Sequence, residues 1–346
     1  MLMGSMTTRR RFLSALGLGL LGAPLTNASD LTRRRERWEM LANEDPTVTP
    51  EYKPDPSTWS DATLSTAWIG HSTVFINFFG MKILTDPVFS EKIGLRLAGL
   101  FTVGPRRLVY PALRIDELPR PDLILLSHAH MDHLDIPSLK EFDRSIPIVM
   151  AKNTSDVIED LNFTTVYELD WDQWTLIGDL RVEAIEVRHF GWRFPWEEDR
   201  SRGNREGRSY NAYLLSRRGR HIVFGGDTAY QEHFKKLSTR DLQIDLAIMP
   251  IGAYDPWVYN HANPEQALAM ADHMNAQRIL PVHWGTFVQS EEPTGEPIQR
   301  LKRALQDRPE RIVIDAIGKT WALATGTDIR ADLPSERQTT ISPSSP

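Results

Sequence analysis

Between Leu64 and Ile314 the chain alternates short apolar runs with polar breaks marked by glycine or proline. Leu64–Ile69, Val74–Phe79 and Lys82–Thr85 are rich in β-branched and aromatic residues and read as strands, with Gly70 and Gly80 at the turns. Asp122–Leu126 is an unbroken apolar run, the pattern of a strand buried on both faces. Residues 137–163 accommodate a helix, the strand Ile146–Met150 and a second helix opened by Asn153 or Ser155. The second half repeats the alternation, with strands over Arg181–Val187, Tyr210–Leu215, His221–Phe224 and Asp245–Met249. Asn263-Pro264-Glu265-Gln266 supplies an N-cap, a proline at the first helical position and a glutamine at the third. It predicts a helix running to about Asn275. Arg278–Pro281 is a further strand, Ile298–Gln306 a helix and Arg311–Ile314 a last strand.

Strands in blocks, separated by helices and arranged in two similar halves, do not follow a strict βαβ rhythm. They predict an α/β fold, an αββα four-layer sandwich of two mostly antiparallel sheets covered by helices, over residues 61–326. Neither a glycine-rich dinucleotide fingerprint nor a P-loop is present. Residues 30–60, with Pro46, Pro50, Pro54 and Pro56, predict an extended arm, and the Ser-, Thr- and Pro-rich 327–346 a disordered tail. Residues 1–29 contain Thr8-Arg9-Arg10-Arg11-Phe12-Leu13, a twin-arginine pattern before an apolar stretch too short to span a bilayer. The pattern predicts export of a folded protein to the periplasm or cell envelope; a plain basic tail is the alternative.

Composition narrows the chemistry. A formal charge of −6 argues against nucleic acid as a partner, because phosphate binding calls for a basic excess. The absence of cysteine removes disulfides, iron–sulfur clusters and thiol nucleophiles. Any metal must be held by His, Asp and Glu, a donor set suited to zinc, manganese or iron.

The ten histidines are unevenly spread. His128-Ala129-His130-Met131-Asp132-His133 directly follows the strand Leu123–Ser127. A turn leaving a buried strand can aim alternate side chains at one place. His128 and His130 then face one metal, and Asp132 and His133 face another. His189, Asp227 after Gly225-Gly226, and His283 before Trp284-Gly285 each lie just beyond a predicted strand end, which groups them with the first cluster. No nucleophile elbow for a Ser–His–Asp triad is present.

The run at 128–133, the later histidine, Gly226-Asp227-Thr228 and the strand-end His283 resemble the metallo-β-lactamase superfamily of hydrolases. Further segments resemble its branch of N-acyl-phosphatidylethanolamine-hydrolysing phospholipases D. These are Trp68–Val74, Leu84–Ser90, Gly104–Arg107, Glu168–Trp171, Gly225–Tyr230 and His283–Phe287, in order over about residues 45–325. The resemblance implies two Zn2+, one on His128, His130 and His189, the other on Asp132, His133 and His283, with Asp227 bridging. It implies hydrolysis of a phospholipid or related phosphodiester by a hydroxide shared between the metals, with Asp132 and Asp227 central to catalysis. His261 falls at a position near the site in that family, where it could hydrogen-bond phosphate or leaving group, or serve only structure. Asp86 and Asp135 could accept the free N–H of ligand histidines, and His71 could line the cavity or cap a strand. The apolar Ile93–Phe101, including Leu97 and Phe101, could form a rim touching acyl chains and a membrane surface, or a short buried helix. The insert 190–208, with Trp192 and Arg193, mixes aromatics and arginines as a lipid-headgroup site would, and departs from the family pattern. A lactonase or cyclic phosphodiesterase with the same site, and a metal-binding sensor or redox protein, are the competing readings.

Overall fold

The computed structural model describes residues 47–97, 101–198, 200–240 and 242–323. The twin-arginine segment, residues 30–46 of the arm, residues 98–100 of the apolar rim and the tail after Thr327 lie outside the described residues.

The first half of the chain supplies β1 (Leu64–Gly70), β2 (Thr73–Phe78) and β3 (Met81–Thr85). A separate hairpin of β4 (Leu95–Leu97) and β5 (Phe101–Val103) follows, then β6 (Leu123–Leu126), β7 (Ile148–Ala151) and β8 (Val166–Leu169). The second half supplies β9 (Trp174–Ile177), β10 (Leu180–Glu186), β11 (Asn211–Arg217), β12 (Arg220–Phe224), β13 (Ile244–Pro250), β14 (Arg278–Val282) and β15 (Thr320–Ala322). They form two sheets, ordered β15-β1-β2-β3-β6-β7-β8 and β14-β13-β12-β11-β10-β9. The sheets are mixed rather than mostly antiparallel. β3, β6, β7 and β8 run parallel on one side, as do β12, β13 and β14 on the other.

The period of two along each strand builds the layers. Leu123 and Leu125 of β6 face Leu246 and Ile248 of β13 in a core between the sheets, together with Ile76, Phe224 and Tyr213. The alternate residues Ile124 and Leu126 pack outward on Leu139, Phe142 and Leu161. Ala247 and Met249 pack outward on Phe234, Met270 and Leu301. Strands buried on both faces cannot alternate polar and apolar residues, hence the continuous apolar runs.

The covering helices are short. α1 (Ile136–Leu139) and a 3-10 segment over Ser155–Leu161 stand where two full helices were expected, and α2 (Lys235–Ser238) adds one turn. α3 (Pro264–His273) starts as predicted: Gln266 N donates to the Asn263 side chain and Asn263 N donates to Gln266 Oε1. α4 (Glu296–Ala304) begins two residues before the expected Ile298. Arg311–Ile314 makes only an isolated bridge, Ile279 to Ile312, and the last strand is Thr320–Ala322. The apolar rim is the β4–β5 hairpin rather than a helix, pairing Leu97 with Phe101, and Ile93 is buried against Val88 and Phe287.

Because β1 and β3 both run antiparallel to β2, and β10 and β12 both antiparallel to β11, β1, β3, β6, β10, β12, β13 and β14 all end at one edge of the sandwich. Open α/β sheets place their sites at such carboxyl ends.

Ile76 is fully buried between the sheets. Ile76→Ala is expected to cost about 2–5 kcal/mol in urea unfolding. Leu176→Ala, on the surface, is expected to stay within about 0.5 kcal/mol of the parent.

Candidate metal centre

Each residue of the site leaves the end of a strand. His71 follows β1, Asp86 β3, His128–His133 β6, His189 β10, Asp227 β12, His261 β13 and His283 β14. Three of them take a positive φ rarely adopted by residues with a side chain: His71 at 52°, Asp86 at 32° and His283 at 61°. Strain of this kind gathers where a side chain must be aimed rather than merely packed. Gly226 has φ 55°, and a Cβ there would lie 2.7 Å from both Asn211 O and Ser127 Cβ. Only glycine lets the chain carry Asp227 across Ser127.

Two groups of donors result. His128, His130, His189 and Asp227 form one; His71, Asp132, His133 and His283 form the other, and Asp227, His261 and His283 also converge. Asp227 Oδ2 lies between the groups. It is 3.1 Å from His133 Nε2 and 3.2 Å from His283 Nε2. It is 3.9 Å from His189 Nε2, 4.0 Å from His128 Nε2 and 3.7 Å from His261 Nδ1. Asp132 Oδ2 is 3.3 Å from His283 Nε2 and 3.4 Å from His133 Nε2. The seven ligands implied by the family resemblance are brought together, and His71 joins them, its Nε2 3.1 Å from Asp132 Oδ2.

The protons on the ring nitrogens can be counted. His189 Nδ1 faces the carbonyl of Asn260 at 2.9 Å, so it carries the hydrogen and Nε2 keeps its lone pair. His133 Nδ1 donates to Asp86 Oδ2 at 2.6 Å, which turns its Nε2 towards the cluster. The Ser127 hydroxyl spends its hydrogen on Asp86 Oδ2 at 2.6 Å and therefore accepts from His128 Nδ1 at 2.8 Å. Nε2 of all three rings thus points inward, and His130 Nδ1 stands 2.8 Å from His128 Nε2 and 3.2 Å from His189 Nε2. Both oxygens of Asp227 are buried without a partner in hydrogen-bond geometry among the described residues. Inward Nε2 atoms around a buried carboxylate, with Nδ1 of three rings anchored outside the cluster, fit a divalent cation.

Charge leads to the same place. Burial, together with the neighbouring rings, keeps His128 and His130 well below the usual imidazole range. Burial also opposes charge on His133, but Asp227, Asp132 and Asp86 outweigh it and raise its pKa well above that range. At His283, Asp227 and Asp132 overcome burial and push the pKa up to about 9. The buried carboxylates demand compensating positive charge, and protons compete with a metal to supply it.

The remaining expectations divide. Asp86 orients rings of both donor groups. Asp135 does not touch a ligand ring: at the N-cap position of α1 it is turned away, accepting from the hydroxyls of Ser90 and Ser138. Phe190 packs on His130 at 4.4 Å between ring centres, and Trp192 lies edge-on at 6.2 Å. Arg193, expected to meet substrate, instead donates from Nη1 to the carbonyls of Ala129 and Leu134. Gln289 was not anticipated, and its Nε2 donates to Asp132 Oδ2 at 2.6 Å. No signal in residue type or spacing marked it, whereas Ser127 sits next to the first histidine.

A two-sheet sandwich with a buried His/Asp cluster at its strand ends defines a metal-dependent hydrolase. Residues 81–284 match the family described as Beta-lactamase superfamily domain. An uncharacterized protein of Mycobacterium tuberculosis is 30% identical over 312 residues, covering 84% of this chain and 79% of its own. The chain belongs to the beta-lactamase superfamily. The N-acyl-phosphatidylethanolamine-hydrolyzing phospholipase D 1 of Caenorhabditis elegans is 28% identical over 287 residues, with 76% of each chain covered. Among solved structures, an isothiocyanate hydrolase from Delia radicum gut bacteria shares the fold at a TM-score of 0.59 and 18% identity. It covers 76% of this chain and 100% of its own.

Asp86→Asn keeps the volume but loses an acceptor for His133 and Ser127. Bound metal, measured by atomic emission after dialysis against a chelator, is expected to fall in affinity by about 10–100-fold.

Proposed function

We propose that the protein is a zinc-dependent phosphodiesterase of the phospholipase D type, acting on N-acyl-phosphatidylethanolamine or a related phospholipid with two Zn2+ in its site. The observation that carries this reading is Asp227 Oδ2, which four Nε2 atoms approach within 4.0 Å from both donor groups. A carboxylate shared in this way suits two adjacent cations. His128, His130 and His189 would hold one, Asp132, His133 and His283 the other, and Asp227 both. When bound, such metals bring the pKa of a water towards neutrality and offset charge growing on phosphoryl oxygens.

The chain's own groups do the rest. Asp86 and Ser127 fix ring orientation, while Gln289 and His71 hold Asp132 by one oxygen. Burial keeps His261 neutral, with its pKa lowered to about 3, and its side chain is 13% exposed beside Asp227. It is placed to hydrogen-bond a phosphoryl or leaving-group oxygen. Phe190 covers His130 and excludes water from that side.

The phospholipid assignment draws on the worm relative's named substrate and on the shared motifs from Trp68 to Phe287. On this reading the protein works at the cell envelope through peripheral contact with a membrane. No helix among the described residues is long and apolar enough to cross one.

Zinc-loaded protein is expected to release N-acylethanolamine and phosphatidic acid from N-acyl-phosphatidylethanolamine. Asp132→Asn is expected to lower kcat by about 100-fold or more, the scale of losing one charge-stabilising group, with circular dichroism unchanged. Lactone turnover without phosphodiester turnover would sink the lipid reading. Near-normal turnover by Asp132→Asn would sink the two-metal mechanism.

A further inference from the structure

The turn that carries His130, Asp132 and His133 is short, and its internal main-chain bonds run from the N–H groups of His133 and Leu134 to His130 O. One guanidinium reaches both of its ends: Arg193 Nη1 donates to Ala129 O at 2.6 Å and to Leu134 O at 3.0 Å. Those two carbonyls bracket three candidate ligands. The segment behind Arg193 is itself anchored. Glu197 Oε2 accepts from Arg193 N at 2.6 Å and from Arg208 Nε at 2.9 Å. Arg208 also grips Asp156 with both terminal nitrogens, at 2.5 and 2.9 Å, and donates to Asn153 O. Arg200 binds Asp170 at 2.6 Å and lies 3.9 Å over the Trp171 ring. The two ends of the segment abut, because a Cβ on Gly191 would stand 2.1 Å from Arg208 O.

We infer that Arg193 is a positioning residue for the metal-binding turn, and that the segment around it, anchored through Glu197 and Arg208, is a strap which delivers its guanidinium to that turn. A surface arginine gathered to meet an anionic headgroup would keep its donors for solvent or ligand. Here Nη1 of Arg193 is committed to main-chain oxygens, and Arg208 to two carboxylates. One nitrogen of a planar, permanently charged guanidinium thus ties the two carbonyls together from a stem held in place by its own backbone. Held at both ends, the turn keeps its three ligands aimed without help from bound metal. The inference rests on the metal site proposed above.

The test uses full-length protein loaded with Co2+, whose visible spectrum reports ligand geometry. Arg193→Met is expected to release Co2+ to a chelator about 10–100-fold faster than the parent and to alter its d–d bands. With bis(p-nitrophenyl) phosphate, kcat falls while KM is little changed. Arg193→Lys, which keeps a positive charge but replaces the rigid planar group with a flexible, shorter ammonium, recovers only part of both effects. Glu197→Gln, further from the turn, speeds release in the same direction and guards against misfolding of the Met variant. Unchanged release and spectrum in Arg193→Met and Glu197→Gln, with a raised KM, would overturn the inference in favour of substrate contact. A parent protein that binds no Co2+ would remove the metal reading itself, and the inference with it.

Discussion

The carboxylate of Asp86 has no contact with solvent, yet it gathers the Ser127 N–H at 2.8 Å, the Ser127 hydroxyl and His133 Nδ1. Burying a charge is costly unless it is paired and hydrogen-bonded, and three converging donors meet that condition. The arrangement is also directional. A single anion fixes which nitrogen of His133 faces the site and, through Ser127, which nitrogen of His128 bears hydrogen. Those rings belong to different donor groups, so one residue at the end of β3 sets the chemistry of both. Asp86 N in turn bonds Leu125 O, which ties the anion to the register of β3 and β6. The parallel pairing of those strands and the state of the site are one constraint.

Much of this was legible in sequence because the fold exaggerates its own pattern. Strands covered on both faces must be apolar throughout, so β6 and β13 stood out, and the candidate ligands at the end of β6 stood out with it. The helices were harder to read. The polar text of residues 137–163 was compatible with full helices, but tertiary packing on Leu139 and Leu161 holds only short turns. The edge strands β8, β9 and β15 were missed because their half-exposed residues lack the continuous apolar run.

In the site, residue type and strand-end position marked the candidate ligands, and the family resemblance supplied how they divide between two metals. Roles defined by orientation were beyond it. Asp135 and Asp86 look alike in the text, yet one faces serine hydroxyls and the other a ligand ring. Arg193 looked like a headgroup contact because arginine next to tryptophan suggests an anion. Its Nη1 donates to two backbone carbonyls of the metal-binding turn. Gln289 has no distinguishing context, and only the path of the loop after β14 brings its amide to Asp132.

The donors span the chain from His71 to His283, and the two ends touch directly. His71 N donates to Thr286 Oγ1, and His283 N to His71 O. Closing a loop of that length costs conformational entropy before any contact rewards it. The site is therefore complete only when both sheets are in place. Until β14 has docked, the turn at 128–133 offers a few imidazoles of the kind any unfolded histidine-rich peptide could present. The complete cage marks the end of assembly, and metal held firmly in it certifies that both sheets are in place.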